Sequence, residues 1–197
     1  VNQLKEKHFV VKEYQRGYKW ESEQILALLN DIHYHKVGKY CLQPIITDER
    51  IEGIELIDGQ QRVTTLYLLL YFLGEADFFS IDYQTRKASQ SFIAEKIAEM
   101  NCAISENKDW ETFISELNGI NHLNYNNVDV YHFYLVYLEI YQWFSDKSES
   151  FRDDFKLKIL NQVYIIWYDI KNNKKTLNAE DVFLNLNAGK IPLTNSE

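Results

Sequence analysis

The chain has 197 residues and a mass of 23.5 kDa, a length that favours one compact unit over several domains. Hydrophobic residues make up 46% and charged residues 25%, which is ordinary for a globular protein and excludes a disordered or low-complexity chain. The formal net charge of −8 excludes a global electrostatic attraction to nucleic acid, so any such contact needs a local basic patch.

The first part of the chain predicts strands on either side of one helix. Residues 9–11 are a β-branched and aromatic run typical of a strand. Apolar residues at helical spacing predict an amphipathic helix over about 22–35, with Ser22 as its N-cap. A second strand is expected over 41–47, where Pro44 cannot donate a ladder hydrogen bond and confines the strand to an edge or a bulge.

A third strand over 54–57 ends at Asp58-Gly59, and an apolar helix follows over 63–73. Because its apolar residues cover nearly every face, this helix is expected to be buried. A strand, a tight turn and a buried helix in this order would aim the first backbone N–H groups of the helix beyond the end of the strand.

The second half of the chain is mainly helical in pattern. We expect one helix that includes Phe92 and Met100, a second helix over 110–117 and a loop over 118–127. A long helix with an aromatic stripe follows over 130–144, and a strand over 163–168. The chain then continues with a polar loop over 171–178 and a short helix over 179–187, for which Gly189 is the C-terminal cap. The aromatic stripe is interpreted as packing, and the strand at 163–168 is expected to rejoin the sheet.

One segment, Asp58-Gly59-Gln60-Gln61-Arg62-Val63-Thr64-Thr65, combines the residue types of an anion site. Gly59 permits a tight turn and close approach of a ligand to the backbone. Residues 60–62 would present free N–H groups at a helix start, and Arg62 adds a forked donor suited to phosphate oxygens. Thr64 or Thr65 can add a hydroxyl, and Asp58 can hold a metal-bound water, orient Arg62 or act as a base. The segment has a structural alternative, in which Asp58 is only the helix N-cap and Arg62 only a surface ion-pair partner.

A second segment alternates polar and aromatic side chains: Gln15, Arg16 and Lys19 among Tyr14, Tyr18 and Trp20. Such a loop can stack on a base and contact its edges. The alternative is that the rings pack on the core while the cations reach into solvent. There is no P-loop pattern, which excludes that mode of phosphate binding.

Three blocks occur in the order Phe9-Val10-Val11 with Tyr14-Gln15-Arg16-Gly17-Tyr18-Lys19-Trp20, then Ile57-Asp58-Gly59-Gln60-Gln61-Arg62-Val63-Thr64-Thr65-Leu66, then Phe183-Leu184-Asn185-Leu186-Asn187-Ala188-Gly189-Lys190-Ile191-Pro192-Leu193-Thr194. Together they resemble the N-terminal domain of GmrSD-type modification-dependent restriction proteins. That family is similar to the ParB and sulfiredoxin nucleotide-binding fold.

The resemblance implies an α+β fold in which one domain spans 1–197. Within it, a nucleotide-binding core with a small mixed sheet covers 1–75, and a helical half covers 76–197. The implied activity is binding and hydrolysis of a nucleoside triphosphate with Mg²⁺, coupled to the sensing of modified or foreign DNA; GTP, ATP, CTP and UTP all stay open. The expected catalytic residues are Asp58, Gln61 and Arg62, with Asp58 at the Mg²⁺. The expected nucleotide-binding residues are Tyr14, Gln15, Arg16, Trp20, Gly59, Gln60, Gln61, Arg62, Thr64 and Thr65.

The chain also departs from the family pattern. Its last histidine is His132, so the C-terminal His-Asn-His nuclease domain that usually follows is expected to be missing from this piece, which opens on Val1 rather than Met. Lys12 stands where many relatives carry proline. Gln43-Pro44 replaces a glycine common in the second strand, which could reshape that strand beside the pocket.

Two alternatives to a nucleotide hydrolase stay open: a non-catalytic ParB-like module that binds nucleotide or DNA as a switch, and a domain with nuclease activity of its own. A homo-oligomer also stays open. Cys41 and Cys102 are interpreted as buried free thiols of a reducing compartment. With no apolar run long enough to cross a membrane and no signal peptide, we expect a cytoplasmic protein.

Overall fold

The computed structural model describes residues 1–84, 86–120 and 122–170. Within them lie the strands β1 (His8–Val11), β2 (Tyr40–Arg50), β3 (Gly53–Asp58), β4 (Ser80–Tyr83) and β5 (Val163–Asp169). They form one mixed sheet in the order β4-β1-β3-β2-β5. β1 is parallel to both β3 and β4, β2 is antiparallel to β3, and β5 is parallel to β2. The strand at the end of the helical half therefore rejoins the sheet along β2.

The helices of the described residues are α1 (Ser22–Tyr34), α2 (Gln60–Phe72), α3 (Lys87–Glu95), α4 (Ile97–Ser105), α5 (Trp110–Ile120), α6 (Val128–Phe144) and α7 (Glu149–Gln162). The fold is α+β, as the sequence pattern predicted. α6 is the central helix, because it contacts α1, α2, α3 and α4. Its rings Phe133, Tyr137 and Phe144 are buried, which confirms that the aromatic stripe is packing.

α2 is buried on nearly every side, as predicted, since it packs against α6 and β4. It begins at Gln60, three residues before the predicted start at Val63, so the whole Gln60–Arg62 stretch forms its first turn. This first turn lies directly after the end of β3.

β2 lies between β3 and β5 in the sheet order, but its register with β3 covers only residues 46–50 and does not reach Pro44. Pairing of β2 with β5 shifts between Leu42 and Ile45, whose partners on β5 are separated by a single residue. Gln43 and Pro44 together therefore oppose one residue, which makes a β-bulge. Proline is tolerated there because the bulge requires no ladder N–H from it.

Several elements differ from the sequence prediction. The helix expected through Phe92 and Met100 is two helices, α3 and α4, because Lys96 leaves the helical conformation with φ −117° and ψ 5°. The break lets Phe92 and Met100 both be buried. The predicted loop over 118–127 starts too early, since α5 continues to Ile120. β4 and α7 were not predicted at all.

At the start of α1 the N-cap is Glu21 rather than Ser22, and Glu21 forms a capping box with Gln24. Cys41 and Cys102 are free but exposed, so the prediction that they are buried is wrong. No helix in the described part of the chain has the length and apolar character needed to cross a bilayer. The predicted loop over 171–178, the helix over 179–187, its Gly189 cap and the third block at 183–194 lie outside the described residues.

Candidate functional site

Two loops meet at the carboxyl ends of the parallel neighbours β1 and β3. β1 is followed by residues 12–20, and β3 by the Asp58-Gly59 turn. Ligands of open sheets bind beyond the carboxyl ends of parallel strands. Between these loops lies a cleft of about 660 Å³, a volume ordinary for small-molecule sites. It is lined by Tyr14, Gln15, Arg16, Trp20, Gln43, Ile57, Asp58, Gly59, Gln60, Gln61 and Arg62.

The turn into α2 depends on Gly59. Its φ of +101° lies in the left-handed region, and a Cβ atom there would stand 2.6 Å from Ile45 Cγ2. Gly59 is also the N-cap of α2, and as a glycine it has no side chain with which to cap the first turn. The first intrahelical bond runs from Val63 N to Gly59 O (3.0 Å). The N–H groups of residues 60–62 therefore lack an intrahelical acceptor beside the cleft, at the positive end of the helix dipole.

Arg62 is held in place from two sides. Its Nη1 donates to Gln43 Oε1 (3.0 Å) and its Nη2 to Pro44 O, while Asp58 Oδ2 lies 3.4 Å from Nη2. The Arg62 side chain is 15% exposed and that of Asp58 27% exposed. Since the N-cap is Gly59, the alternative in which Asp58 serves only as the N-cap is wrong.

Gln61 connects α2 to the loop. Its Oε1 accepts from Lys19 N (2.8 Å) and its Nε2 donates to Gly17 O (3.0 Å). Both ends of the amide are thus used by the loop backbone. In the structure the Gln61 side chain therefore supports the wall of the cleft, and its amide is engaged by the loop rather than free.

Thr64 and Thr65 point away from the cleft into the core, where they are 0% and 1% exposed. The Thr64 hydroxyl shares a hydrogen bond with Tyr83 (2.7 Å) and that of Thr65 with Tyr18 (2.7 Å). Burial raises the pKa of the Tyr18 phenol well above its usual value, so this group stays protonated. Tyr18, predicted as a candidate stacking ring, is instead a core residue with no exposed surface.

The remaining loop residues divide between anchoring and exposure. Tyr14 donates its hydroxyl to Glu55 Oε1 (2.5 Å), and Gln15 Nε2 donates to the carbonyls of Leu56 and Ile57 at the end of β3. Arg16 is exposed. Anchored Tyr14 and exposed Arg16 thus stand on the same wall of the cleft as half-buried Trp20.

The loop of residues 12–20 is also held by residues on its far side from the cleft, which the sequence analysis did not identify. Asp129 Oδ1 accepts from Tyr18 N (2.8 Å), and Asp129 Oδ2 lies 3.5 Å from Arg86 Nη1. Arg86 Nη2 in turn donates to Gln15 O (2.9 Å). A Cβ atom on Gly17 would stand 2.3 Å from Asp129 Oδ1, so a glycine is needed for this close approach. The sequence analysis drew no inference from Gly17, although a glycine in this loop is a sign of close packing.

Behind the loop lies a second cavity of about 510 Å³, lined in part by Lys19, Arg86 and Lys87. Its cations are partly neutralised, because Arg86 pairs with Asp129. Neither cavity contains a ready-made metal centre: among the described residues, no three His, Cys, Asp or Glu side chains are grouped to hold an ion. A Mg²⁺ ion usually binds through one or two carboxylates together with substrate phosphates. Asp58, the one carboxylate among the described residues that line the cleft, fits that mode and no other.

A family model described as GmrSD restriction endonuclease, N-terminal domain, matches residues 1–197. The matched segment covers the two loops and the turn that form the cleft. No curated protein matches the chain.

Proposed function

Since the chain belongs to the family of GmrSD restriction endonuclease N-terminal domains, and so has a role in a restriction system, we propose that it binds and hydrolyses a nucleoside triphosphate as the regulatory module of that system. The observation that carries the proposal is the cleft itself. It brings a helix start with a glycine N-cap, an oriented guanidinium and two aromatic side chains together in one space of nucleotide size.

The phosphates bind at the start of α2. There the N–H groups of residues 60–62, which lack intrahelical acceptors, and the Arg62 guanidinium supply donors within one helical turn. Anions favour such a site because of both the unpaired N–H groups and the helix dipole. Exposed Arg16 on the opposite loop adds positive charge at the entrance. The site therefore attracts a phosphate chain although the net charge is −8.

The base stacks on the other wall of the cleft. Tyr14 and Trp20 line it, and stacking on an aromatic ring is tolerant of base identity. A cleft that uses stacking at one end and phosphate donors at the other accepts several nucleotides, so we leave the choice among ATP, GTP, CTP and UTP to the binding assay.

Hydrolysis requires a water aligned with the terminal phosphorus and compensation of the charge that develops on its oxygens. Asp58, at the mouth of the turn, is the residue to orient that water, and Arg62 neutralises the phosphoryl oxygens. A Mg²⁺ ion bound with the nucleotide would be held by the phosphates and Asp58, and would supply further charge compensation. The products are nucleoside diphosphate and inorganic phosphate. We assign Gln61 a positioning role, because its amide holds the loop.

The second candidate is a switch that binds nucleotide without hydrolysing it. It is favoured by the ion pair between Asp58 and Arg62, 3.4 Å apart, which occupies the carboxylate in the cleft. Modified or foreign DNA is the signal we propose for either module, reached through the full-length restriction protein. Plasmid nicking with added Mg²⁺ or Mn²⁺ tests the third alternative, a nuclease activity of the chain itself.

Calorimetric titration with each of the four nucleotides and Mg²⁺, followed by phosphate-release measurement, tests the proposal. We expect Arg62→Ala to weaken binding by roughly 10- to 150-fold, the scale of a charge-assisted hydrogen bond of roughly 1.5–3 kcal/mol. Arg62→Lys, which keeps the charge and loses the fork, should lie between Arg62→Ala and the unsubstituted chain. Tight binding with no turnover favours the switch, and unchanged affinity in folded Arg62→Ala contradicts the proposed phosphate site.

A further inference from the structure

The bulge in β2 directly contacts the guanidinium of Arg62 beside the cleft. Gln43 and Pro44 are the two residues of the bulge, and each supplies one acceptor: the Gln43 side-chain oxygen takes Nη1, and the Pro44 carbonyl takes Nη2. Ile45, the next residue, packs against the turn so closely that position 59 has no room for a Cβ atom. One irregularity of the strand thus contacts both the turn and its arginine.

The bulge and the end of the β3 pairing make these acceptors available. In a regular ladder the carbonyl groups of a strand bond to its neighbours, but the register of β2 with β3 begins only at Ile46. Pro44 lies before that pairing and within the register shift against β5, so its carbonyl is available to Arg62. The exposed Gln43 side chain lies over the same guanidinium.

The donors of Arg62 divide into two sets. A guanidinium carries five N–H groups. Three are directed to Gln43 Oε1, Pro44 O and Asp58 Oδ2. The Nε atom is buried and has no hydrogen-bond acceptor among residues 1–84, 86–120 and 122–170. The side facing β2 is therefore occupied, and of the two donors outside these contacts the second N–H of Nη1 is the one that we assign to a bound anion.

We propose that Gln43 is a positioning residue of the nucleotide site, which fixes the orientation of the Arg62 guanidinium from the β2 bulge. The inference rests on the proposed function, since it assumes that Arg62 binds phosphate. Gln43 itself does not contact the nucleotide in this role. Because Gln43 contributes to affinity only through Arg62, an experiment can separate its effect from that of a residue that contacts the nucleotide directly.

A double-mutant cycle measures that coupling. The four proteins are the unsubstituted chain, Gln43→Met, Arg62→Ala and the double variant, each titrated with the best-binding nucleoside triphosphate and Mg²⁺. Methionine keeps the length of the side chain and removes the acceptor. Losing one neutral acceptor corresponds to about a 5-fold change in affinity, with a range of roughly 2- to 12-fold. We expect this loss for Gln43→Met alone and no further loss when Arg62 is already alanine.

Two more variants sharpen the result. Gln43→Glu keeps an acceptor for Nη1 but adds a negative charge beside the phosphates, and should weaken binding by about 10-fold or more. Gln142→Met, an exposed glutamine on α6, is the matched control and should bind as the unsubstituted chain does. Because Gln43 is exposed, thermal unfolding midpoints should be the same for all Gln43 variants.

The outcomes separate this inference from the proposed function. Failure of the unsubstituted chain to bind any nucleotide, or full affinity in Arg62→Ala, removes the proposed function and the inference with it. If Arg62→Ala weakens binding and Gln43→Met does not, the site stands and the positioning role is wrong. An equal loss for Gln43→Met in both Arg62 backgrounds also overturns it, because Gln43 would then act other than through Arg62.

Discussion

The wall of the cleft formed by residues 12–20 depends on one buried carboxylate. Asp129 is 4% exposed, and it accepts hydrogen bonds from Tyr18 N (2.8 Å) and Ser89 Oγ (2.9 Å) and pairs with Arg86 (3.5 Å). We predict that Asp129→Ala loosens this wall, and weakens nucleotide binding, although Asp129 does not line the nucleotide cleft.

The magnitude follows from the partners that are left behind. Truncation leaves the buried Tyr18 N–H without its acceptor, which costs about 1–3 kcal/mol. Breaking a buried ion pair costs about 3–5 kcal/mol, but Arg86 is 31% exposed and water relieves part of that. We therefore expect a total destabilisation of about 2–4 kcal/mol, or about 4–16 °C in the unfolding midpoint for a chain of this size.

Urea unfolding and nucleotide titration of three variants provide the measurement. Asp129→Asn keeps an acceptor for Tyr18 N and loses the charge facing Arg86, so it should be destabilised by less than Asp129→Ala. Asp146→Ala is the matched control, because that carboxylate is 74% exposed and pairs with its sequence neighbour Lys147, and it should change stability by under about 0.5 kcal/mol. An Asp129→Ala protein as stable as the Asp146→Ala protein would refute the reasoning.

Three further predictions concern the turn and the core beside it. Gly59→Ala should destabilise the protein by about 2–5 kcal/mol in urea unfolding, because alanine is strained at φ +101° and its Cβ would stand 2.6 Å from Ile45 Cγ2; full stability would show that the turn can relax. Asp58→Asn should lower phosphate release by about 100-fold, because an amide replaces the carboxylate that orients the attacking water; unchanged turnover would exclude Asp58 from catalysis. Burial raises the pKa of Tyr18 and Tyr83 above the ordinary value of 10.0. Above pH 10 the unfolded chain therefore loses protons that the folded chain keeps, so the free energy of unfolding should fall as pH rises there. Tyr18→Phe should flatten that slope.

Local patterns predicted the elements that position the site. Residues 54–57 form a short apolar run typical of a strand, a longer apolar run follows as a helix, and Asp58-Gly59 between them marks the turn. The burial of α2 followed from its lack of a polar face. Because the chemistry of a helix start depends on local backbone geometry, the placement of the N–H groups at the cleft could also be predicted.

Short or polar elements escaped the same reasoning. β4 has only four residues, of which Ile81 and Tyr83 are buried, too few to establish a period. α7 is mostly polar and buries only Phe155 and Ile159, so its amphipathic signal is weak. Its start was nonetheless marked, since Ser148 caps it by accepting from Phe151 N.

Long-range contacts decided which motif residues line the cleft. Thr65 faces the core because Tyr18, 47 positions earlier in the chain, meets it there. Asp129 lies 111 positions after Tyr18, and no spacing in the sequence links the two. Gln43 was noted only as a departure from the family pattern, and its contact with Arg62 depends on a bulge whose position is set by pairing with β5. Such contacts follow from the tertiary fold.

The most direct test of the account is a crystal structure of the chain with a non-hydrolysable nucleoside triphosphate and Mg²⁺. The account predicts the triphosphate at the N-terminus of α2, within hydrogen-bond distance of Arg62, and the base against Tyr14 or Trp20. A nucleotide in the second cavity beside Lys19 and Lys87, with the cleft left empty, would contradict it.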